Sequence, residues 1–177
     1  MNDRIRKRTK YITVSAMLSA LGVILLALGS LVEVLDISVA VLASLFCVYA
    51  VIEIGGAFPW LIWIVTSTLG FLLIPQKTPV LFYAFALGFY PIIKEKLERC
   101  NRVLCYVLKL IVFHICLGCI VLVMWLFFPA MLDMEGLAWM PIALYGLCLV
   151  FFILYDLLLT RLITFYLFLL RKRFRIK

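Results

Sequence analysis

The chain has 177 residues, of which 67% are apolar, and its mean hydropathy is +1.21. Soluble domains carry roughly 45–50% apolar residues, so this composition excludes an ordinary globular fold. The net charge of +8 does not indicate a nucleic-acid partner, because fourteen of the 17 Lys and Arg residues form three clusters at the ends of apolar segments and do not share one polar face.

The three basic clusters set the predicted topology. They occupy residues 4–10, 94–102 and 171–177. Lys and Arg concentrate on the cytoplasmic side of membrane proteins, so we predict that both termini and the middle loop are cytoplasmic. The expected fold is an all-α, multi-pass protein of the cell membrane, with residues 1–177 forming one six-helix transmembrane domain in the lipid bilayer.

The first three spans are predicted from the apolar runs and the residues that end them. Helix 1 covers Lys10–Val32, which is long enough to cross a bilayer and lacks a small-residue cleavage site. Helix 2 covers Ile37–Ile54 and ends at a pair of glycines. Helix 3 opens at Pro59, a residue tolerated in a first helical turn, and closes at Pro75.

Small residues recur along helix 1 at the spacing of one helical turn. Ser15 and Ser19 form one such pair, and Ala16 and Ala20 form another. Small side chains let two membrane helices approach closely, which is a main source of helix association in lipid. The pattern indicates packing, either within the bundle of this chain or against a partner membrane subunit.

The last three spans follow a second proline-marked turn. Helix 4 has Pro79 in its first turn and a predicted bend at Pro91, and helix 5 covers Val103–Phe128. Helix 6 runs from about Pro141 to Leu170, roughly 45 Å against a hydrocarbon core of about 30 Å. Either the helix tilts strongly, or its last turns, beyond Arg161, lie along the inner membrane surface, and we expect the second arrangement.

Polar residues inside the spans are few. Lys109 is expected to extend its side chain to the inner surface. His114 is too deep to do so, and it contacts a cavity, a substrate or a neighbouring helix. Cys116 and Cys119 follow His114 on the same helix, but their spacing does not suit a metal site or a disulfide. The hydroxyls of residues 66–68 are expected to bond to carbonyls of their own helix.

No catalytic motif is present in the sequence. It has no phosphate-binding loop, no zinc-protease motif and a single histidine. We therefore expect no enzymatic activity, no metal and no cofactor.

The stretch Lys7–Gly22 (KRTKYITVSAMLSALG), together with six helices and cytoplasmic termini, resembles the substrate-binding S components of energy-coupling-factor transporters. The resemblance implies that Ala16 and Ala20 dock to a transmembrane coupling subunit, which two ATPase subunits drive. It also implies capture of a vitamin-like molecule near the outer face. This chain departs from the family in its short first outer loop, Glu33–Asp36, and in the few polar groups of the outer parts of helices 4–6.

If the chain is a solute-binding subunit, its pocket is expected in the outer half of the membrane between helices 4, 5 and 6, lined mainly by aromatic residues. Its candidate lining residues are Tyr83, Trp125, Trp139 and Tyr145, with Glu33, Gln76 and Lys77 from the loops and His114 as the floor. This lining suits a planar, largely apolar ligand. Alternatively, the aromatic residues mark the outer membrane surface, and the chain is a non-transporting scaffold or assembly protein of the cell envelope.

Overall fold

The computed structural model describes residues 3–31, 35–98, 102–127 and 140–170, and in these residues the chain is all-α, as predicted. Seven α-helices and two π-helical turns are present in the described part. The helices are α1 (Asp3–Gly29), α2 (Asp36–Glu53), α3 (Phe58–Leu73), α4 (Thr78–Phe82), α5 (Tyr90–Leu97), α6 (Arg102–Phe127) and α7 (Met140–Phe165), and the π-helical turns are Tyr83–Leu87 and Tyr166–Leu170.

All six predicted segments are helical where the structure describes them. Four helical stretches are long and apolar enough to cross a membrane: Ile5–Gly29, Asp36–Glu53, Leu104–Phe127 and Ile142–Phe168. Helix α3 is also apolar but has 16 residues, about 24 Å at the usual rise per residue. The protein therefore has the helices of a multi-pass membrane protein, and six complete crossings stay a prediction.

Helix α1 begins earlier than predicted, at Asp3 rather than Lys10. Lys and Arg are good helix formers, and an acidic residue in the first turn favours the positive end of the helix dipole. The basic N-terminal segment, predicted as a separate region of residues 1–10, therefore continues the membrane helix from Asp3 onward.

Predicted helix 4 is interrupted in its middle. The Gly88 N–H donates to the Tyr83 carbonyl at 2.7 Å, the wide turn of a π-helix. A Cβ on Gly88 would lie 2.8 Å from the Tyr83 ring, so this close contact needs glycine. Pro91 follows in the first turn of α5, and the Trp63 indole N–H donates to the Ala84 carbonyl at 2.9 Å. The predicted bend at Pro91 is thus part of a longer interruption.

Helix α7 continues without a break through Arg161 to Phe165, and the π-helical turn then reaches Leu170. Whether the turns beyond Arg161 lie along the inner membrane surface stays a prediction. Residues 157–165 include Thr160 and Thr164, whose hydroxyls bond to carbonyls one turn earlier, at 2.9 and 2.7 Å. These bonds let polar residues continue an apolar helix.

The structure divides into two compact units, Met1–Lys109 and Leu110–Lys177. In the first unit, α1 and α3 run parallel in a constant register. Tyr11 contacts Phe58 with ring centroids 5.8 Å apart, and the Thr66 hydroxyl faces the Ser19 carbonyl at 3.5 Å, both at an offset of 47 positions. Thr66 also packs against Gly22 of α1, and the absence of a side chain there lets the two helices approach closely. The Thr66 hydroxyl therefore donates to a carbonyl of α1 and not, as expected, to one of its own helix.

Glycines also set the other close contacts of the first unit. A Cβ on Gly29 of α1 would lie 2.7 Å from Val39 Cβ of α2, and one on Gly70 of α3 would lie 3.0 Å from Val80 Cγ1 of α4. Such small residues allow the backbone approach that membrane helices use for stability. The core of this unit is mostly apolar, and its closest helix contacts are made at glycines.

Candidate functional site

The outer side of α1 carries a stripe of small residues that the fold leaves open. Thr9, Thr13, Ala16 and Ala20 are exposed and follow one another at helical spacings of three or four. The hydroxyls of Thr9 and Thr13 bond to carbonyls one turn earlier, at 3.0 and 3.1 Å. The hydroxyls of Thr9 and Thr13 are therefore satisfied within the helix. We call this row of small residues, Thr9, Thr13, Ala16 and Ala20, the α1 stripe.

The serine pair of α1 behaves differently from the alanine pair. Ser15 and Ser19 are 6% and 3% exposed, and the Ser19 hydroxyl bonds to the Ser15 carbonyl at 2.9 Å. Because neighbouring helical positions point about 100° apart, this leaves Ala16 and Ala20 outside the packed face. The sequence left open whether the small residues pack within the chain or outside it; the serines pack within it and the alanines do not.

Tyr83, a predicted ligand contact, is a core residue of the first unit. Its side chain is 1% exposed, and its hydroxyl forms a hydrogen bond with the Cys47 thiol of α2 at 3.2 Å. A buried polar pair of this kind joins the π-helical turn to α2. In this arrangement Tyr83 packs inside the first unit and is not exposed to a ligand.

His114 and Tyr145, two further predicted ligand contacts, meet in the second unit. The His114 Nε2 atom lies 2.8 Å from the Tyr145 hydroxyl, and its Nδ1 atom lies 2.7 Å from the Leu110 carbonyl. Phe113 packs edge-on against His114 with ring centroids 5.4 Å apart, and it stacks on Phe152 at 4.9 Å. The structure thus joins α6 and α7 through an interhelical hydrogen bond next to aromatic rings.

The described part of the chain also contains Trp125, Gln76 and Lys77 of the predicted pocket, and each is described within its own unit. Trp125 is 64% exposed near the end of α6. Gln76 donates to the Asp36 carboxylate at 3.2 Å, and the Lys77 ammonium donates to the Phe71 and Ile74 carbonyls at 2.6 and 2.5 Å, at the end of α3. Lys77 therefore neutralises a helix C-terminus. Trp139 and Glu33 lie outside the described residues.

A buried lysine is the main feature that the sequence analysis missed. Lys94, counted there only as a topology signal, is 1% exposed. Its ammonium lies 3.3 Å from the Glu98 carboxylate and 5.8 Å from the centre of the Tyr90 ring. Lys109 reaches the same carboxylate at 3.7 Å, so its side chain extends toward segment 94–102. The i, i+4 spacing of Lys94 and Glu98 was the available signal.

Aromatic residues surround the start of α3. The rings of Trp60, Trp63 and Phe89 lie in mutual contact, with centroids 5.6 to 5.9 Å apart. The Lys96 ammonium lies 5.8 Å from the centre of the Trp60 ring. Tryptophan with a nearby cation is typical of the membrane surface, so this cluster fits a position at a membrane–water boundary.

Within the described residues, His, Cys, Asp and Glu form no group of three or more that could hold a metal ion. Cys47, Cys105, Cys116, Cys119 and Cys148 are free thiols. The candidate sites in the described part of the chain are the α1 stripe and the His114–Tyr145 pair. No protein-family model, curated protein or solved structure matches the chain.

Proposed function

We propose that this chain is the substrate-binding membrane subunit of an ATP-driven importer of small, vitamin-like molecules, and that it docks to a transmembrane coupling subunit through the α1 stripe. The observation that carries the proposal is the exposure of Ala16 and Ala20 beside a packed serine face. The resemblance of segment 7–22 to S components gives the docking partner its identity.

The physical support for docking is the contrast between the two faces of α1. Lipid chains and leucine are equally apolar, so exposed leucines on a membrane helix need no protein partner. Small residues aligned on one face allow a second helix to approach closely, and the stripe offers such a face over Thr9, Thr13, Ala16 and Ala20. A coupling subunit that contributes a helix there gains van der Waals contact along about three turns.

The double substitution Ala16→Leu with Ala20→Leu is expected to release the partner. Overpacked contacts cost about 1–3 kcal/mol each, so two of them reduce co-purification from native membranes by about tenfold or more. The matched control is Ala143→Leu, which adds the same side chain at an exposed position of α7. The thermal stability of the purified chain should be the same in all three proteins.

The composition of the captured complex decides between importer and scaffold. A coupling subunit and two ATPase subunits, all lost in the double variant, support the proposal. Retention of these subunits by the double variant contradicts docking through the α1 stripe. Lower stability of the purified double variant places the stripe inside the fold and also contradicts it.

The second candidate function is a non-transporting scaffold or assembly protein of the cell envelope. It is favoured by the burial of Tyr83 against Cys47, which removes one predicted ligand contact from any open pocket. A scaffold would use the same α1 stripe, but its captured partners would be other envelope proteins without an ATPase. The same pull-down experiment therefore distinguishes the two candidate functions.

The proposed orientation has the N-terminus, segment 94–102 and the C-terminus in the cytoplasm, on the strength of the three basic clusters. A membrane-impermeant thiol reagent added to intact cells should label a cysteine introduced at Gln76 or Asp133. It should leave a cysteine at Lys96 unlabelled until the membrane is opened. Labelling of the cysteine at position 96 in intact cells would contradict the proposed orientation.

A further inference from the structure

Four exposed cations of the first unit pair with no carboxylate in the described part of the chain. We call these residues the basic end; they are Arg6, Lys7 and Arg8 of α1 and Lys96 of α5. Two other lysines of the unit differ from them, because Lys94 and Lys109 lie 3.3 and 3.7 Å from the Glu98 carboxylate. The basic end therefore carries positive charge that the described residues do not neutralise by ion pairing.

The packing of α1 on α3 places the basic end where α3 begins. The two helices run parallel at a constant offset of 47 positions. The same offset sets Arg8 level with Gly55, in the turn before α3. The Lys96 ammonium lies 5.8 Å from the centre of the Trp60 ring, in the first turn of α3. Both groups of cations therefore lie around the start of the same helix.

The turn before α3 leaves this end open. Gly55 and Gly56 have φ angles of 68° and 66°, in the left-handed region that favours glycine. A Cβ on either residue would meet no atom of the described residues within 4 Å. A group from outside the chain can therefore approach the basic end past this turn.

An apolar surface adjoins the basic end. Leu61, Ile64 and Val65 follow Trp60 on α3 and are exposed, and their spacing of three and four positions puts them on one side of the helix. The α1 cations lie at the beginning of the candidate membrane span Ile5–Gly29. A molecule bound here thus meets positive charge at one end and apolar side chains at the other.

We propose that the basic end binds anionic phospholipids, such as phosphatidylglycerol. The headgroup phosphate contacts Lys96 beside the Trp60 ring, the α1 cations attract neighbouring headgroups, and an acyl chain lies along Leu61 and Ile64. A phospholipid of this kind matches both the charge and the apolar surface, whereas an acidic soluble protein would match only the charge. The inference rests on neither the importer nor the scaffold function and applies to both.

The purified chain in a neutral detergent allows a direct test. Dioleoylphosphatidylglycerol should stay bound in native mass spectrometry and should raise Tm by about 3 °C or more. Dioleoylphosphatidylcholine has the same acyl chains but no net charge, so it should bind more weakly and raise Tm less. High salt should weaken the binding of phosphatidylglycerol, because exposed charges are screened. Sodium phosphate should raise Tm no more than sodium chloride of equal ionic strength.

Single substitutions locate the contact. Lys96→Gln should weaken the binding of phosphatidylglycerol about fivefold, and Lys96→Arg should keep it, because the charge remains. Arg161→Gln is the matched control, since it removes an exposed cation of α7 that lies outside the basic end, and it should leave binding unchanged. Without lipid, all three variants should have the Tm of the original chain.

A triple variant tests the second group of cations. Arg6→Gln, Lys7→Gln and Arg8→Gln together should weaken the binding of phosphatidylglycerol by at least about tenfold, because three cations are lost.

Three results would overturn the proposal: equal binding of the two lipids, equal weakening by Lys96→Gln and Arg161→Gln, or an equal rise of Tm with sodium phosphate. If phosphatidylglycerol had no effect and Lys96→Gln instead lost a co-purified acidic protein, the basic end would be a protein contact and the proposal would fail. These measurements use the purified chain alone, so their outcome is independent of the pull-down with the α1 stripe variants.

Discussion

Gly29→Ala is expected to destabilise the protein by roughly 1–3 kcal/mol, the usual range for overpacking. The new Cβ would lie 2.7 Å from both Cβ and Cγ1 of Val39. Valine cannot rotate out of the way, since it is branched next to the backbone, so α1 and α2 have to separate. Thermal unfolding in detergent, followed by tryptophan fluorescence, measures the loss.

The other helical glycines supply a graded control series. Gly70→Ala should cost less, because its Cβ would meet the end of the Val80 side chain at 3.0 Å. Gly118→Ala meets nothing within 4 Å and should be neutral or slightly stabilising, by about 1 kcal/mol at most. A Gly118 variant as unstable as the Gly29 variant would contradict the packing of α1 on α2.

Glu98→Lys is expected to cost about 2 kcal/mol or more, since removal of a partner from a buried charge is strongly unfavourable. The change places a third ammonium beside Lys94, which is 1% exposed, and Lys109. Glu98 is itself 43% exposed, and water screens part of the repulsion. Thermal unfolding at low and at high salt measures the effect, and salt should restore part of the stability.

Glu95→Lys is the matched control for this charge reversal. Glu95 lies on the same helix and its side chain is exposed, so the same change there should lower Tm far less. Equal decreases in Tm for the two variants would mean that net charge, and not the buried position of Lys94, determines the stability of this region.

The parts of the fold that depend on hydropathy could be predicted from sequence, and those that depend on local packing could not. Apolar runs and their prolines locate the six predicted helical segments, because a membrane helix is apolar along most of its length. The interruption at Tyr83–Leu87 depends on a ring packed against Gly88 and on the Trp63 bond to Ala84. Neither contact has a signature in local sequence.

The candidate sites show the same division. Pairing of His114 with Tyr145 joins residues 31 positions apart, and their roles as candidates followed from chemistry alone. The burial of Lys94 could not be predicted from the sequence, because the residues of a basic cluster are usually exposed to solvent. The separation of Ser15 and Ser19 from Ala16 and Ala20 requires knowing which face of α1 meets α3.

Site-specific photo-cross-linking from α1 in native membranes tests docking most directly. A photoactivatable residue replaces Ala20 in one protein and Ser19 in another. The two probes differ by one position, but position 20 is exposed and position 19 is buried within the chain. Docking through the α1 stripe predicts that position 20 cross-links to a second membrane protein, while position 19 cross-links within the chain. Lipid adducts alone at position 20 would contradict it.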